Sequence, residues 1–429
     1  MNKAEIMTKR HDKKCPQAPR LRFPEFRDEW HSQALGAIAS MIKEKVGNKK
    51  CTLMSIMTGV GLIPQIDKFG KEIAGDQYKN YIIIRNNDFA YNKSATKGYP
   101  QGFIALYTGS EIAAVPNSIF TCFKIQPESI VPAYLNYLFL GNFHGKWLQR
   151  YITVGARAHG SLSIDDDDLL SLPIPYPKGV SSLGEQQRIA DCLSSLDERI
   201  AAETNKLDAL KDHKKGLLKQ LFPAEGEALP RLRFFKFRNT GEWKERPLVS
   251  VANYENGKAY EPHIVENGRY IVVNSRFIST DGTIKKYSNV PICIAKRGDI
   301  LMVLSDLPNG RALAKTYYVN ADDLYAVNQR VCCLTPHSAN GKFLCFLLNR
   351  HPNLLIFDDG KNQTHLKKDS VLQCLIKLPL SFDEQQRIAD CLSSLDELIT
   401  SQTKKIDLLK EHKKGLMQQL FPRIDKVLA

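Results

Sequence analysis

Ile189, Leu193, Leu196, Ile200, Leu207, Leu210, Leu217 and Leu221 follow one another at alternating steps of four and three residues, and Ile388, Leu392, Leu395, Ile399, Ile406, Leu409, Leu416 and Leu420 repeat the phase. That spacing predicts two long helices, each with a narrow apolar stripe of the kind that forms a coiled-coil seam. The seam positions missing from these series hold Glu203, Lys214, Gln402 and Lys413, polar residues suited to fixing register. A helix of 39 residues is about 58 Å long, and so narrow a stripe needs a partner. Antiparallel pairing of the two copies spares the chain leaving Pro223 a return along the full length. It places the two flanking domains at opposite ends of a rod with an approximate twofold axis. Pro223 and Pro422 stop the helices, Asp383 with Gln386 predicts a capping box, and Gly184 predicts a weaker cap. Gly216 and Gly415 either permit close helix contact or end the regular helix early.

The stretches between the helices read as mixed α/β. YKNYIIIRNNDFAYNKS (78–94) and VPICIAKRGDILMVLSD (290–306) each show an apolar strand, a basic turn ending in Asp88 or Asp299, and a second apolar strand. This predicts a hairpin presenting a polar loop. Further on, residues 155–177 and 360–379 each run from a glycine-led polar loop through a short helix to a strand ending at proline. Within the first, Ser163 followed by Asp166 predicts a helix start favoured by the acids of its first turn.

The identical EQQRIADCLSSLDE at 185–198 and 384–397 shows that the helices are copies. PRLRFPEFRDEW from Pro19 and PRLRFFKFRNTGEW from Pro230 form a second pair, opening segments of about 160 residues that otherwise share little. The plan is variable, constant, variable, constant. The boundaries expected are a flexible basic arm over 1–18, domains over 19–183 and 224–382, helices over 184–223 and 383–422, and a tail over 423–429. The fold class expected is α/β, mixed α+β domains separated by two long helices in an antiparallel coiled coil with pseudo-twofold repeat.

Charge narrows the partner. The net charge of +14 divides into +7 for residues 1–222 and +7 for 223–429, which suits a polyanion held at two places. The arm has no apolar stretch for a secretory signal, and no apolar run approaches the length a bilayer needs, so a cytoplasmic setting without membrane contact is expected. Ten cysteines without a CxxC pair read as reduced thiols, with Cys332 and Cys333 in a buried strand and no metal site.

Two loop regions per half carry residue types that read bases or bind phosphate. In the first half these are Lys93, Ser94, Thr96, Lys97 and Tyr99, then Arg157, His159 and Ser161. In the second they are Ser305, Asn309, Arg311 and Lys315, then Lys361, Asn362, Gln363, Thr364, His365 and Lys367. Asn and Gln bond adenine in two places, Arg does so for guanine, and Lys neutralises phosphate. Solvated loops use the same residues by default. The cluster Lys211, His213, Lys214 and Lys215, with its copy Lys410, His412, Lys413 and Lys414, either complements a helix C-terminus or meets phosphate or a partner subunit.

The order of domains, the EQQRIADCLSSLDE and HKKGLMQQLFP segments, the RLRFPEF opening and the LPIPYP approach to the first helix resemble the specificity subunit of a type I restriction-modification enzyme. The likeness covers nearly the whole chain after the arm. It implies two target recognition domains, each reading one half of a bipartite double-stranded DNA sequence, with the helices setting the unread gap. It also implies methyltransferase subunits using S-adenosylmethionine, and restriction or motor subunits using ATP and Mg, with no cofactor on this chain.

The residues themselves point away from catalysis. There is no Asn-Pro-Pro-Tyr or Asp-Pro-Pro-Tyr motif and no GxxxxGK loop, and Glu242-Trp243-Lys244 falls in the duplicated opening, so its likeness to a nuclease pattern is structural. Two alternatives stay open: a stand-alone methyltransferase or nuclease, and a coiled-coil scaffold indifferent to sequence.

Overall fold

The computed structural model describes residues 18–57, 59–126, 128–154, 162–307, 310–358 and 362–423. All of the basic arm except Ala18, and the tail beyond Arg423, lie outside them. The chain divides into two compact units, Met1–Thr204 with Lys404–Ala429, and Asn205–Thr403.

The first unit contains β1 (Trp30–Ala34), β2 (Ala39–Met41), β3 (Thr52–Met57), β4 (Gly61–Pro64), β5 (Ile82–Ile84), β6 (Asp88–Asn92), β7 (Phe103–Leu106), β8 (Ala113–Val115), β9 (Phe120–Ile125), β10 (Thr153–Val154), β11 (Leu162–Ser163) and β12 (Pro173–Pro177). One sheet runs β2-β9-β6-β7, antiparallel throughout; another runs β4-β3-β8-β5, with β3 and β8 parallel. Successive side chains of a strand point to opposite faces. Phe89, Tyr91 and Phe123 therefore enter a core with Phe139 of helix Pro132–Leu140, while Ala90, Phe103 and Cys122 enter a second core with Met54, Ile84 and Val115. Cover on both faces explains why DFAYN is fully buried.

The second unit contains β13 (Lys244–Pro247), β14 (Ala252–Asn256), β15 (Ile264–Val265), β16 (Tyr270–Val273), β17 (Tyr287–Ser288), β18 (Ile294–Ala295), β19 (Ile300–Val303), β20 (Ser305–Asp306), β21 (Thr316–Tyr318), β22 (Tyr325–Val327), β23 (Val331–Pro336), β24 (Thr364–His365) and β25 (Leu375–Leu378). Its sheets run β14-β23-β19-β21 and β15-β17-β16-β22-β18, the latter with β16 and β22 parallel. This is the first unit's frame plus one edge strand. Cys332 and Cys333 lie in β23 as expected, one in each of the two cores that β23 separates.

The expected hairpins do not form. β5 pairs with β8 and β18 with β22, whereas β6 and β19 belong to the other sheet. The chain turns a corner between sheets, and the acid at the corner accepts a backbone N–H three residues back: Asp88 from Arg85 and Asp299 from Lys296, both at 2.7 Å. Burial pushes the Asp88 carboxyl above its usual range, partly offset by that bond.

The long helices span Ser182–Leu221 and Phe382–Leu420. They start one or two residues earlier than the sequence suggests, which leaves Gly184 and Asp383 inside the first turn. Instead of a capping box from Asp383 and Gln386, Ser381 Oγ accepts the Glu384 N–H at 3.4 Å. Ser163 likewise is not a cap; it lies in β11, and Asp165 occupies the cap of helix Asp166–Leu170. Both helices run through Gly216 and Gly415, where an added Cβ would meet nothing within 4 Å, so neither reading of these glycines holds.

Each unit holds the start of one helix and the end of the other, paired antiparallel. In the first, Lys413 Nζ bonds Asp197 at 2.5 Å and Lys405 bonds Glu203 at 2.5 Å; in the second, Lys214 bonds Asp396 at 2.5 Å. Residue numbers rise along one helix as they fall along the other. The polar seam positions Glu203, Lys214 and Lys413 thus act in register, and the cations of the HKKG clusters divide between these bonds and solvent. Leu196, Ile200, Leu207, Leu210, Leu395, Ile399, Ile406 and Leu409 are all buried or half-buried, as a seam requires. The opening turns depart from the expected seam. Ile189 and Leu193 pack in the first globular core, and Ile388 and Leu392 in the second unit's.

The duplicated residues make duplicated bonds. Arg22 donates to both Glu185 oxygens at 2.7 and 2.8 Å, and Arg233 to both Glu384 oxygens at the same distances. Gln186 accepts the Val131 N–H and Gln385 the Asn340 N–H. Leu21 and Leu232 donate their N–H groups to Gln419 O and Gln220 O. The RLRF opening is thereby clamped between the first turn of one helix and the last turn of the other. Trp243 is buried beside Glu384, which gives the Glu242-Trp243-Lys244 stretch a structural role.

Candidate nucleic-acid interface

In the first unit the loop between β6 and β7 is fixed at both ends. Asn92 Oδ1 accepts the Ser94 N–H at 2.9 Å, and Lys93 donates its N–H to Ile119 O at 2.9 Å. At the far end Gly102 has φ +85°, and a Cβ there would lie 2.5 Å from Asn92 O, so only glycine fits. Its carbonyl faces Nε2 of the buried His144 at 3.1 Å. Burial holds the His144 imidazole down at about 4, so the ring is neutral at neutral pH and anchors the loop without adding charge.

The return segment closes on this loop. Leu162 at the start of β11 donates its N–H to Lys93 O at 2.8 Å. Of the residues expected to face nucleic acid, Lys97 is exposed, and Lys93, Ser94 and Thr96 are half-buried around the tip. Tyr99 departs from expectation: its hydroxyl donates to Leu140 O at 2.9 Å and its ring stands edge-on to Phe103, so it props the loop from beneath. Arg157, His159 and Ser161 lie outside the described residues.

The second unit repeats the arrangement with other residues. β20 pairs with β24, setting Ser305 opposite His365 and Asp306 opposite Thr364, and Leu366 donates its N–H to Leu304 O at 2.8 Å. The Asp306 carboxylate organises the loop by accepting N–H groups of Leu307, Ala312 and Leu313 at 2.9, 2.6 and 3.2 Å. A Cβ on Gly310 would collide with that carboxylate. Arg311, Asn362, Gln363, His365 and Lys367 are exposed. Ser305 and Thr364 are buried and bonded to Gln363 and Asp358, and Lys315 is held by Asp281 and Ser279 O, so these three build the loop instead of presenting themselves. Asn309 and Lys361 lie outside the described residues.

Sequence reasoning missed Asn92, Gly102, His144, Asp306 and Gly310. An Asp or Asn just after an apolar strand, with a glycine several residues on, was the available signal for Asn92 and Asp306. Nothing local marks His144, which meets Gly102 from 42 residues away. Among the described residues no group of three or more His, Cys, Asp or Glu could hold a metal ion.

A family model described as the type I restriction modification DNA specificity domain matches residues 29–212 and again 240–411. The MjaVIII type I restriction enzyme specificity subunit of Methanocaldococcus jannaschii is 25% identical over 301 residues, 64% of this chain and 67% of that one. A putative MjaX specificity subunit of the same organism is 24% identical over 403 residues, 90% and 89% of the two chains. Among solved structures, the S subunit of a type I restriction-modification system from M. genitalium superposes with a TM-score of 0.58 at 16% identity, covering 95% of this chain and 99% of that one. A chain from a type I R-M system studied for complex assembly and conformational transition gives 0.56 at 18% identity, covering 92% and 99%. With two copies of the domain accounting for most of its length, the chain belongs to the type I restriction modification DNA specificity family.

Proposed function

We propose that each unit reads one half of a bipartite duplex target, and that the helix pair sets the gap between the halves. One observation carries this reading: equivalent frames close their loops with the same backbone bond, Leu162 to Lys93 in one and Leu366 to Leu304 in the other, while the residues on those loops differ. A fixed frame with variable loops is the arrangement expected when a scaffold positions base-reading side chains. The exposed candidates among the described residues are Lys97, Arg311, Asn362, Gln363, His365 and Lys367; Arg157, His159, Ser161, Asn309 and Lys361 are candidates by sequence alone.

Chemistry comes from partners in this proposal. Methyltransferase subunits bind S-adenosylmethionine and modify adenine, restriction or motor subunits use ATP and Mg, and this chain contributes recognition alone. The complex works in the cytoplasm; no helix among the described residues is long and apolar enough to cross a membrane.

The test is a footprint of the full chain with its methyltransferase partner, followed by exchange of residues 86–97 and 155–164 for those of another family member. Two short protected blocks around a sequence-tolerant gap are expected, with only one block changing after exchange. Loss of both specificities would refute the modular reading. Modification or cleavage of DNA by the chain alone would refute the division of labour.

A further inference from the structure

In the first unit an open groove of about 910 Å³ runs beside the recognition loop, between the segment after helix Pro132–Leu140 and the last turns of the distal helix. Its floor is apolar, with Leu140, Phe143, Met417 and Phe421; its rim carries Arg20, Lys146, Lys410, Lys414 and Arg423. No acidic residue lines it among the described residues. Arg20, Lys410, Lys414 and Arg423 are exposed. Lys413 also faces the groove, already held by Asp197.

The equivalent place in the second unit is electrically different. Arg231, the counterpart of Arg20, is bonded by Glu227 at 3.0 and 3.2 Å. Lys211 and Lys215, the counterparts of Lys410 and Lys414, keep the same acidic neighbour in sequence, Asp208 copying Asp407, so the difference lies around Arg231. Ala224 stands where the first unit has Arg423, and the linker that follows brings Glu225 and Glu227. Duplication reproduced the frame and left the charge lopsided.

We infer that the groove of the first unit takes the sugar-phosphate backbone of the duplex beside the half-site that this unit reads, a sequence-independent grip that the second unit lacks. The inference rests on the DNA-reading function proposed above. Gly98 and Tyr99 of the recognition loop form part of the groove wall, so a duplex meeting the loop tip lies alongside the cationic rim. The charge on that rim is all of one sign, as a phosphate track requires. An acidic segment of a partner protein also suits such a rim in charge, but would gain nothing from the adjoining loop.

The full chain is titrated with a labelled duplex of arbitrary sequence at several salt concentrations. Each neutralised phosphate contributes about 0.9 to the slope of log K against log salt. Replacing Arg20, Lys410 and Lys414 together by alanine is expected to reduce that slope by about 2.7, so that wild type loses roughly 40-fold more affinity than the variant between about 50 and 200 mM salt. The matched set Arg231→Ala, Lys211→Ala and Lys215→Ala is expected to change the slope by less than about 1. Lys410→Arg with Lys414→Arg keeps the wild-type slope and controls for folding. An unchanged slope in the first set, or equal changes in both sets, overturns the inference. So does a first-set variant that binds duplex as wild type does but no longer captures the methyltransferase subunit. If the slopes behave as expected while wild type prefers no sequence, the proposed function fails and the phosphate groove stands.

Discussion

Arg233→Ala removes one side of an ion pair whose side chains are 8% and 0% exposed. Glu384 would keep one donor, the Trp243 indole N–H at 3.3 Å, in place of the two guanidinium bonds. Breaking a buried pair from one side costs about 3–5 kcal/mol, because the remaining charge stays enclosed without compensation. The bonds from Arg233 to Gly241 O and Thr240 Oγ1 are exposed and add at most about 1 kcal/mol. A total near 4 kcal/mol corresponds to roughly a thousandfold in the opening equilibrium of the second unit. Arg233→Met with Glu384→Leu removes both charges and leaves only the indole N–H without a partner, so the double variant should lose no more than about 2 kcal/mol. Hydrogen exchange read by peptide mass spectrometry suits a chain of two units, since it reports each separately. Protection should fall around residues 230–250 and 380–395 and hold in the first unit. A single variant within about 1 kcal/mol of wild type, or a double variant worse than the single, would refute the clamp as an energetic link.

Gly216→Ala and Gly415→Ala fill open space on continuous helices, and each should stabilise its unit by about 1 kcal/mol in urea titration; destabilisation would mean that the helix needs the glycine. His144 takes its proton at about 4 in the fold and near 6.5 when unfolded, so its contribution is complete above pH 6.5 and is lost as pH falls toward 4, by up to about 1.4 kcal/mol per pH unit. In His144→Gln this part of the acid destabilisation of the first unit should vanish, and an unaltered pH profile would contradict the assignment. Lys413→Glu sets two acids together at the seam and should cost about 1–2 kcal/mol, which Asp197→Lys in the same chain should largely restore; no restoration would show that the pair does not fix register.

The long helices were legible because heptad spacing is local, visible within any fifteen residues of the chain. Their antiparallel pairing followed from the travel of the chain between Pro223 and the second copy, and the Lys413–Asp197 and Lys214–Asp396 bonds agree with it. That the constant segments also clamp the RLRF openings was not legible. Arg22 meets Glu185 across 163 positions and Arg233 meets Glu384 across 151, and no periodicity links such residues. The hairpin reading failed for a physical reason: β5 and β6 are adjacent in sequence and both apolar, yet each is buried between layers and finds its partner by long-range packing. The support that Tyr99 gives the loop was missed for a related reason, since a phenol can cap a core as readily as it can meet a base.

The first unit closes its core with residues from the far end of the chain: Leu420 and Phe421 are buried in it, and the Phe421 ring lies 5.2 Å from that of Tyr134. During synthesis the earliest-made domain must therefore wait with an unfinished apolar surface while some two hundred further residues emerge, about 10–40 s at ribosomal speed. A premature stop shortly before Leu420 strikes the oldest part of the polypeptide and spares the youngest, which inverts the ordinary rule that truncation damages what is made last.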